Sequence, residues 1–159
     1  MAIAQAVTPE HLAQSRSLFQ EYAASLGSGP CFQSLEQELA GLPGDYAPPQ
    51  GRLLLARSGG DLAGCVALHP LEPGVGEMKR LYVRPALRGQ GIGKALLNTV
   101  LAEARAIGYR RVRLDTIEPL MQDAVRMYRA YGFHEIAPYR ENPIEGALYM
   151  ELILDGVIV

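Results

Sequence analysis

Between positions 88 and 95 the chain reads Arg-Gly-Gln-Gly-Ile-Gly-Lys-Ala, three alternate glycines set between a segment of strand character and an amphipathic helix. Glycine permits positive φ and close approach of the backbone to a ligand. The first N–H groups of the following helix have no intrahelical partner, so this junction is an anion site reinforced by the helix dipole. From Met78 to Lys94 there are five basic residues, Lys79, Arg80, Arg84, Arg88 and Lys94, and no acidic one. The two facts together point to a phosphate-bearing ligand. A Walker loop is excluded by spacing, because Arg88 stands where its first glycine is needed and Ala95 where its hydroxyl is needed. The dinucleotide fingerprint fits poorly, since its last small residue falls on Lys94 or Leu96.

The other elements follow from periodicity. Ala2 to Val7 is a short strand, and Thr8-Pro9-Glu10 starts a helix carrying Leu12, Phe19, Tyr22 and Leu26. A second, short helix runs to Leu39, with Ser34 and Gln37 as a capping box. Arg52 to Arg57 and Leu62 to Leu68 form a hairpin, and Glu77 to Val83 is a third strand after a Pro/Gly-rich connection. Ile92, Leu96, Val100, Ala104 and Ile107 share one helical face, closed by Gly108. Arg110 to Thr116 is a strand, Met121, Ala124, Val125, Tyr128 and Tyr131 a second helical stripe, and His134 to Tyr139 and Ala147 to Leu154 two last strands around Asn142-Pro143. The predicted order is β-α-α-β-β-β-α-β-α-β-β, an α/β mixed sheet with helices on its faces, in one domain over residues 1–159. The helix over 92–107 should join two parallel strands.

Within that frame, three segments resemble one family. Arg88-x-x-Gly91-x-Gly93 with Ala95 looks like the acyl-CoA pyrophosphate loop of the GNAT superfamily of acetyl-CoA-dependent N-acetyltransferases. Glu77 to Pro85 resembles that superfamily's central strand, and Ala124 to Phe133 its fourth-helix motif, which closes with Gly132-Phe133. The resemblance covers most of the chain and implies the GNAT acyl-CoA N-acyltransferase fold, with acetyl-CoA as cosubstrate and no metal. One departure stands out: Met121, beside Gln122, occupies a place where many members carry Asn.

The resemblance further implies transfer of an acetyl group to a primary amine of a small molecule by direct attack. Protein N-terminal or lysine acetylation, and a non-catalytic acyl-CoA-binding module, are the alternatives. It implies Glu77 as the general base or amine-orienting residue, against a reading as a strand-end glutamate paired with Lys79 or Arg80. It implies Tyr128 as proton donor to the departing thiolate. Backbone groups of Leu81, Tyr82 and Val83 would hold the pantetheine chain and supply an oxyanion donor. Arg88, Gly89, Gln90, Gly91, Ile92, Gly93, Lys94 and Ala95 would hold the pyrophosphate. Acceptor walls are sought among Phe19, Glu21, Tyr22 and Phe32 and among Tyr139, Arg140, Glu141 and Asn142. Arg113 and Asp115 line the site or pair with each other, Arg84 is either a ligand contact or a solvated loop charge, and His11, His69 and His134 suggest neither a triad nor a metal.

Charge and composition bound the partners. Fifteen basic against seventeen acidic residues leave a net charge of −2, so no global cationic field recruits nucleic acid or an anionic membrane. No apolar stretch approaches the ~20 residues of a membrane helix, and the N-terminus has no basic, hydrophobic leader. Cys31 and Cys65 are expected as reduced, buried hydrophobes in a cytoplasmic protein. Dimerisation is common in the superfamily, so a homodimer is allowed.

Overall fold

Alternation along the strands decides the layering. In a computed structural model, which describes residues 1–27, 35–141 and 145–154, the elements are β1 (Ala2–Gln5), α1 (Pro9–Ser25), α2 (Leu35–Ala40), β2 (Arg52–Ser58), β3 (Asp61–Glu72), β4 (Val75–Val83), α3 (Ile92–Ile107), β5 (Arg111–Ile117), α4 (Gln122–Ala130), β6 (His134–Ile136) and β7 (Ala147–Ile153). Their order is the expected one. The strands form one seven-stranded sheet, β1-β2-β3-β4-β5-β7-β6. Leu54, Ala56, Val66, Leu68 and Met78 point to the face covered by α3 and α4. Their neighbours Leu53, Leu55, Cys65, Ala67 and Tyr82 point to the opposite face, where α1 and α2 lie. β2 and β3 bury both faces, which accounts for their near-continuous apolar runs.

Helix α3 buries Ile92, Leu96, Leu97, Val100, Leu101 and Ala104 against β2, β3 and β4 and ends at Gly108 with φ 107°. Helix α1 begins at Thr8, whose hydroxyl oxygen accepts from the His11 N–H while His11 Nδ1 accepts from the Thr8 N–H. This gives His11 a capping role that the sequence did not suggest. The capping pair at Ser34, the Asn142-Pro143 turn and Cys31 lie outside the described residues. Cys65 is buried with a free thiol.

Two boundaries depart from expectation. The stretch after Leu68 is not a loose connection. β3 runs on to Glu72, turns through Pro73 and Gly74 (φ 80°), and returns as β4. Pro70 is tolerated because the ladder is irregular between Pro70 and Glu72. β6 is short, ending at Ile136.

Every strand pair is antiparallel except β4 and β5, joined through α3. That parallel ladder lasts three residues, Val75–Glu77 against Arg111–Arg113. Beyond it β4 continues to Val83 and β5 to Ile117 without pairing to each other. The sheet is split along more than half of its central seam.

On the far side of β4, Cys65 pairs with Tyr82 and Ala67 with Lys79, so Val66 faces two residues, Arg80 and Leu81. This is a β-bulge, with Arg80 at φ 62°. Gly64 sits directly across from the strand end that follows it. A Cβ there would run into the Tyr82 carbonyl oxygen and come within 3.2 Å of Val83 Cα. Gly64→Ala should therefore push β3 from β4 and destabilise the fold by about 1–3 kcal/mol, read as a lower urea midpoint at unchanged slope.

Candidate functional site

The bulge sorts the side chains of β4. Glu77, Lys79, Arg80 and Tyr82 emerge on the α1/α2 face, and Met78, Leu81 and Val83 on the α3 face. Left-handed backbone at a non-glycine residue costs on the order of 1–3 kcal/mol. Arg80 is held there by two bonds of 3.1 Å to the Glu38 carboxylate of α2 and by the Phe19 ring 5.9 Å from its guanidinium.

Two cavities follow one another along this strand. The first, about 530 Å³, opens where β4 and β5 part and is floored by Leu81, Tyr82 and Val83. One wall is the glycine turn, with Arg88, Gly89, Gly91, Ile92 and Gly93; the other is Pro119 to Ala124 and Met127. Gly91 is the residue at which α3 begins, with φ 81°, and Gly89 has the same φ. A Cβ at Gly91 would meet no protein atom within 4 Å, so this glycine is required by its backbone angle and by whatever occupies the cavity. Arg88 Nε donates to the Val83 carbonyl at 2.9 Å, and its guanidinium lies 5.8 Å from the Tyr82 ring centre. A cation and the free amides of a sixteen-residue helix thus converge on one end of an elongated cleft. Such a cleft fits an extended ligand with a phosphate at that end.

Of the residues expected at this cleft, Leu81, Tyr82, Val83, Arg88, Gly89, Gly91, Ile92 and Gly93 line it, while Gln90, Lys94 and Ala95 do not. Tyr128 is buried one turn below Ala124, its ring centre 5.6 Å from that of Phe133. Burial raises its pKa and keeps it protonated. The segment 119–123 was not among the expected contacts, although it contains the departure at Met121 and Gln122.

The basic run is less uniform than its sequence suggests. Arg84 is taken by Glu21 of α1, at 2.8 and 3.2 Å, and Tyr82 Oη donates to the same carboxylate at 3.2 Å. With Arg80 on Glu38, two of the five cations are neutralised by helices distant in sequence. Arg113 and Asp115 do not pair: Arg113 bonds Glu151 at 2.7 Å, and Asp115 lies 3.8 Å from Arg140.

The second cavity, about 380 Å³, is bounded by α2, the 41–46 segment, His69, Glu77, Lys79 and Arg140. Glu77 lies at its base, fully buried. Its Oε1 takes bonds from His69 Nε2 at 2.8 Å and Arg140 Nη2 at 2.7 Å, and its Oε2 one from Tyr139 Oη at 2.6 Å. Burial pushes the carboxyl upward, but the bonds from His69 and Arg140, the charge of Lys79 and the bond from Tyr139 outweigh it and hold the pKa at about 2. Because an ionised carboxylate only accepts, His69 Nε2 carries the hydrogen of that bond. The Tyr46 ring packs edge-on against His69, centres 5.7 Å apart.

Glu77 therefore bonds neither Lys79 nor Arg80. Tyr139 and Arg140 were sought as acceptor walls, and Arg140 does line this cavity. His69 was missed, yet a signal existed. With the turn placed at Pro73-Gly74, the hairpin register sets His69 directly across from Glu77. Phe32 and Asn142 lie outside the described residues. Among the described residues no group of His, Cys, Asp and Glu could hold a metal ion, and no helix is long and apolar enough to cross a membrane.

Comparison with known proteins gives the cleft a context. The family model described as acetyltransferase (GNAT) matches residues 15–133. An uncharacterised N-acetyltransferase of Schizosaccharomyces pombe is 40% identical over 154 residues, covering 96% of this chain and 94% of that protein. An acetyltransferase from Streptococcus agalactiae superposes with a TM-score of 0.79 at 20% identity, over 96% of this chain and 98% of that one. The yncA protein of Salmonella typhimurium, solved with its cofactor acetyl-CoA, superposes with a TM-score of 0.76 at 18% identity, over 100% and 96%.

The Glu77 network has a testable pH signature. A carboxyl held at about 2 when folded, against an ordinary value of 4.5, stabilises the fold fully above about pH 4.5 and loses that contribution as pH falls toward 2. Glu77→Gln should lose less stability than the parent between about pH 5 and 2 in urea titrations; identical acid limbs would mean that the network does not depress this group.

Proposed function

Because the chain belongs to the acetyltransferase (GNAT) family, we propose that it transfers the acetyl group of acetyl-CoA to a primary amine of a small molecule. The observation that carries this reading is the parting of β4 and β5 beside the glycine turn: one elongated cleft joins an anion site to exposed strand backbone, and a second, charged cavity follows on the same strand. Acetyl-CoA supplies a thioester that a free amine can attack, with loss of the CoA thiol. In this reading Arg88 and the amides of Gly91, Ile92 and Gly93 at the start of α3 hold the pyrophosphate, with Gln90 in the glycine turn and Lys94 and Ala95 in the first turn of α3 beside them. The backbone of Leu81, Tyr82 and Val83 pairs with the pantetheine chain as a further strand would. A backbone N–H of Leu81 or Tyr82 faces the oxygen on which negative charge develops.

Glu77, with both oxygens engaged and a pKa of about 2, is too weak a base to take the ammonium proton efficiently itself. Its role is to hold His69, Tyr139 and Arg140 in place around the incoming amine. In this reading Tyr128 gives its proton to the departing sulfur; burial keeps the phenol protonated at neutral pH, and its side chain stands behind the cleft wall without lining the cleft.

Incubation with acetyl-CoA and a panel of amines and peptides, following free CoA thiol, tests the reading. Turnover with small amines is expected. Turnover confined to peptides would replace it by protein acetylation, and binding without any turnover by a binding module. Tyr128→Phe should lower turnover by about 10²–10⁴-fold while acetyl-CoA affinity by calorimetry stays unchanged; an unaltered rate would remove the donor role. Gly91→Val, forcing a β-branched residue to positive φ and filling the cleft, should abolish acetyl-CoA binding.

A further inference from the structure

The second cavity holds a cation that the fold does not neutralise by contact. Lys79 lines it at the level of Glu77. The charged groups around it are Glu77, Arg80, Arg140 and Asp115, and each is committed elsewhere: Glu77 to His69, Tyr139 and Arg140, Arg80 to Glu38, and Asp115 faces Arg140. Among the described residues the Lys79 ammonium makes neither a hydrogen bond nor an ion pair. Burial lowers its pKa, with Arg80 and Arg140 acting in the same direction and Glu77 and Asp115 opposing. An ammonium has three donors and no acceptor function, so a site that leaves all three without a protein partner in a cavity is matched to an anion. Its position on the strand says where that anion sits. Lys79 is two residues before Leu81, with the Arg80 bulge making the step shorter than the roughly 6–7 Å of regular strand, so a molecule with its carboxylate on Lys79 need be only a few atoms long for another of its groups to reach the point where β4 and β5 part.

We propose that this cavity is the acceptor site and that Lys79 binds a carboxylate of the acceptor, so that the amine acetylated belongs to an amino acid or a similarly small amino-carboxylate. The assignment rests on the acetyl-transfer reading for the amine, but the anion site stands on its own geometry. Asp45, exposed and among the residues lining the cavity, supplies a charge of opposite sign that would favour the ammonium of such a zwitterion. A polycationic acceptor would instead set its charges against Lys79 and Arg140.

The test compares each common amino acid with its own primary amide, which keeps the α-amine and removes the carboxylate charge. With acetyl-CoA, kcat/KM should favour the acid by roughly ten- to a hundredfold, the scale of one hydrogen bond to a charged group. Lys79→Met should erase that preference without changing acetyl-CoA affinity by calorimetry, and Lys79→Arg should retain it. Amides used as well as acids by the parent, or an acid preference surviving in Lys79→Met, would overturn the proposal. A second arm needs no turnover: thermal unfolding of the protein alone, with amino acid or amide added, should show stabilisation by the acid that Lys79→Met loses. Lys79-dependent stabilisation without turnover of any amine would sink acetyl transfer and keep the anion site. Turnover without acid preference would do the reverse.

Discussion

The parting of β4 from β5 after three paired residues is the constraint on which the rest of the molecule depends. A parallel pair left unpaired over half its length would ordinarily be a cost, since buried backbone groups need partners. Here the loss is confined and shaped. The Arg80 bulge bends β4 away on one side, α3 crosses over to rejoin β5, and the glycine turn that starts α3 is set at the open end of the seam. Backbone donors, a helix terminus and Arg88 thereby face one cleft without any long loop to position them.

Electrostatics divide the strand's other face into settled and unsettled charges. Helices α1 and α2 bring Glu21 and Glu38 to Arg84 and Arg80, pairs that tie the helical layer to the bulge. Deeper, Glu77 gathers His69, Tyr139 and Arg140 from β3 and from the segment after β6, so a single buried carboxylate joins parts of the chain more than sixty residues apart. Removing one partner from such a network leaves an uncompensated charge. Under the proposed function, the same network would hold the incoming amine in one orientation.

The fold was legible in the sequence because its cues are local. The α3 stripe, the Gly108 cap and the glycine turn are each written within a few residues of where they act. The parts that were not legible depend on pairing across distance. The five cations from Lys79 to Lys94 read as one phosphate-binding patch, but two are neutralised by helices some forty to sixty residues upstream. His69 carried no signal while the turn at Pro73-Gly74 was taken as a loose connection, because only the extended hairpin brings it across from Glu77. Of the segment 119–123 only Met121 and Gln122 stood out, as a departure from the family pattern, and the place of the whole segment in the cleft follows from β5 ending beside the opening.

The open seam also changes how the sheet meets other chains. At its outer margins the sheet ends in β1, four residues long, and β6, three residues long, which offer a passing strand almost no ladder to extend. A further stretch of unpaired strand backbone is internal, between Leu81–Val83 and the end of β5, with the start of α3 and residues of α4 beside it. The short rims thus leave little room for edge-to-edge pairing, and the break in the sheet lies at its centre, where a cavity takes the place of the missing ladder.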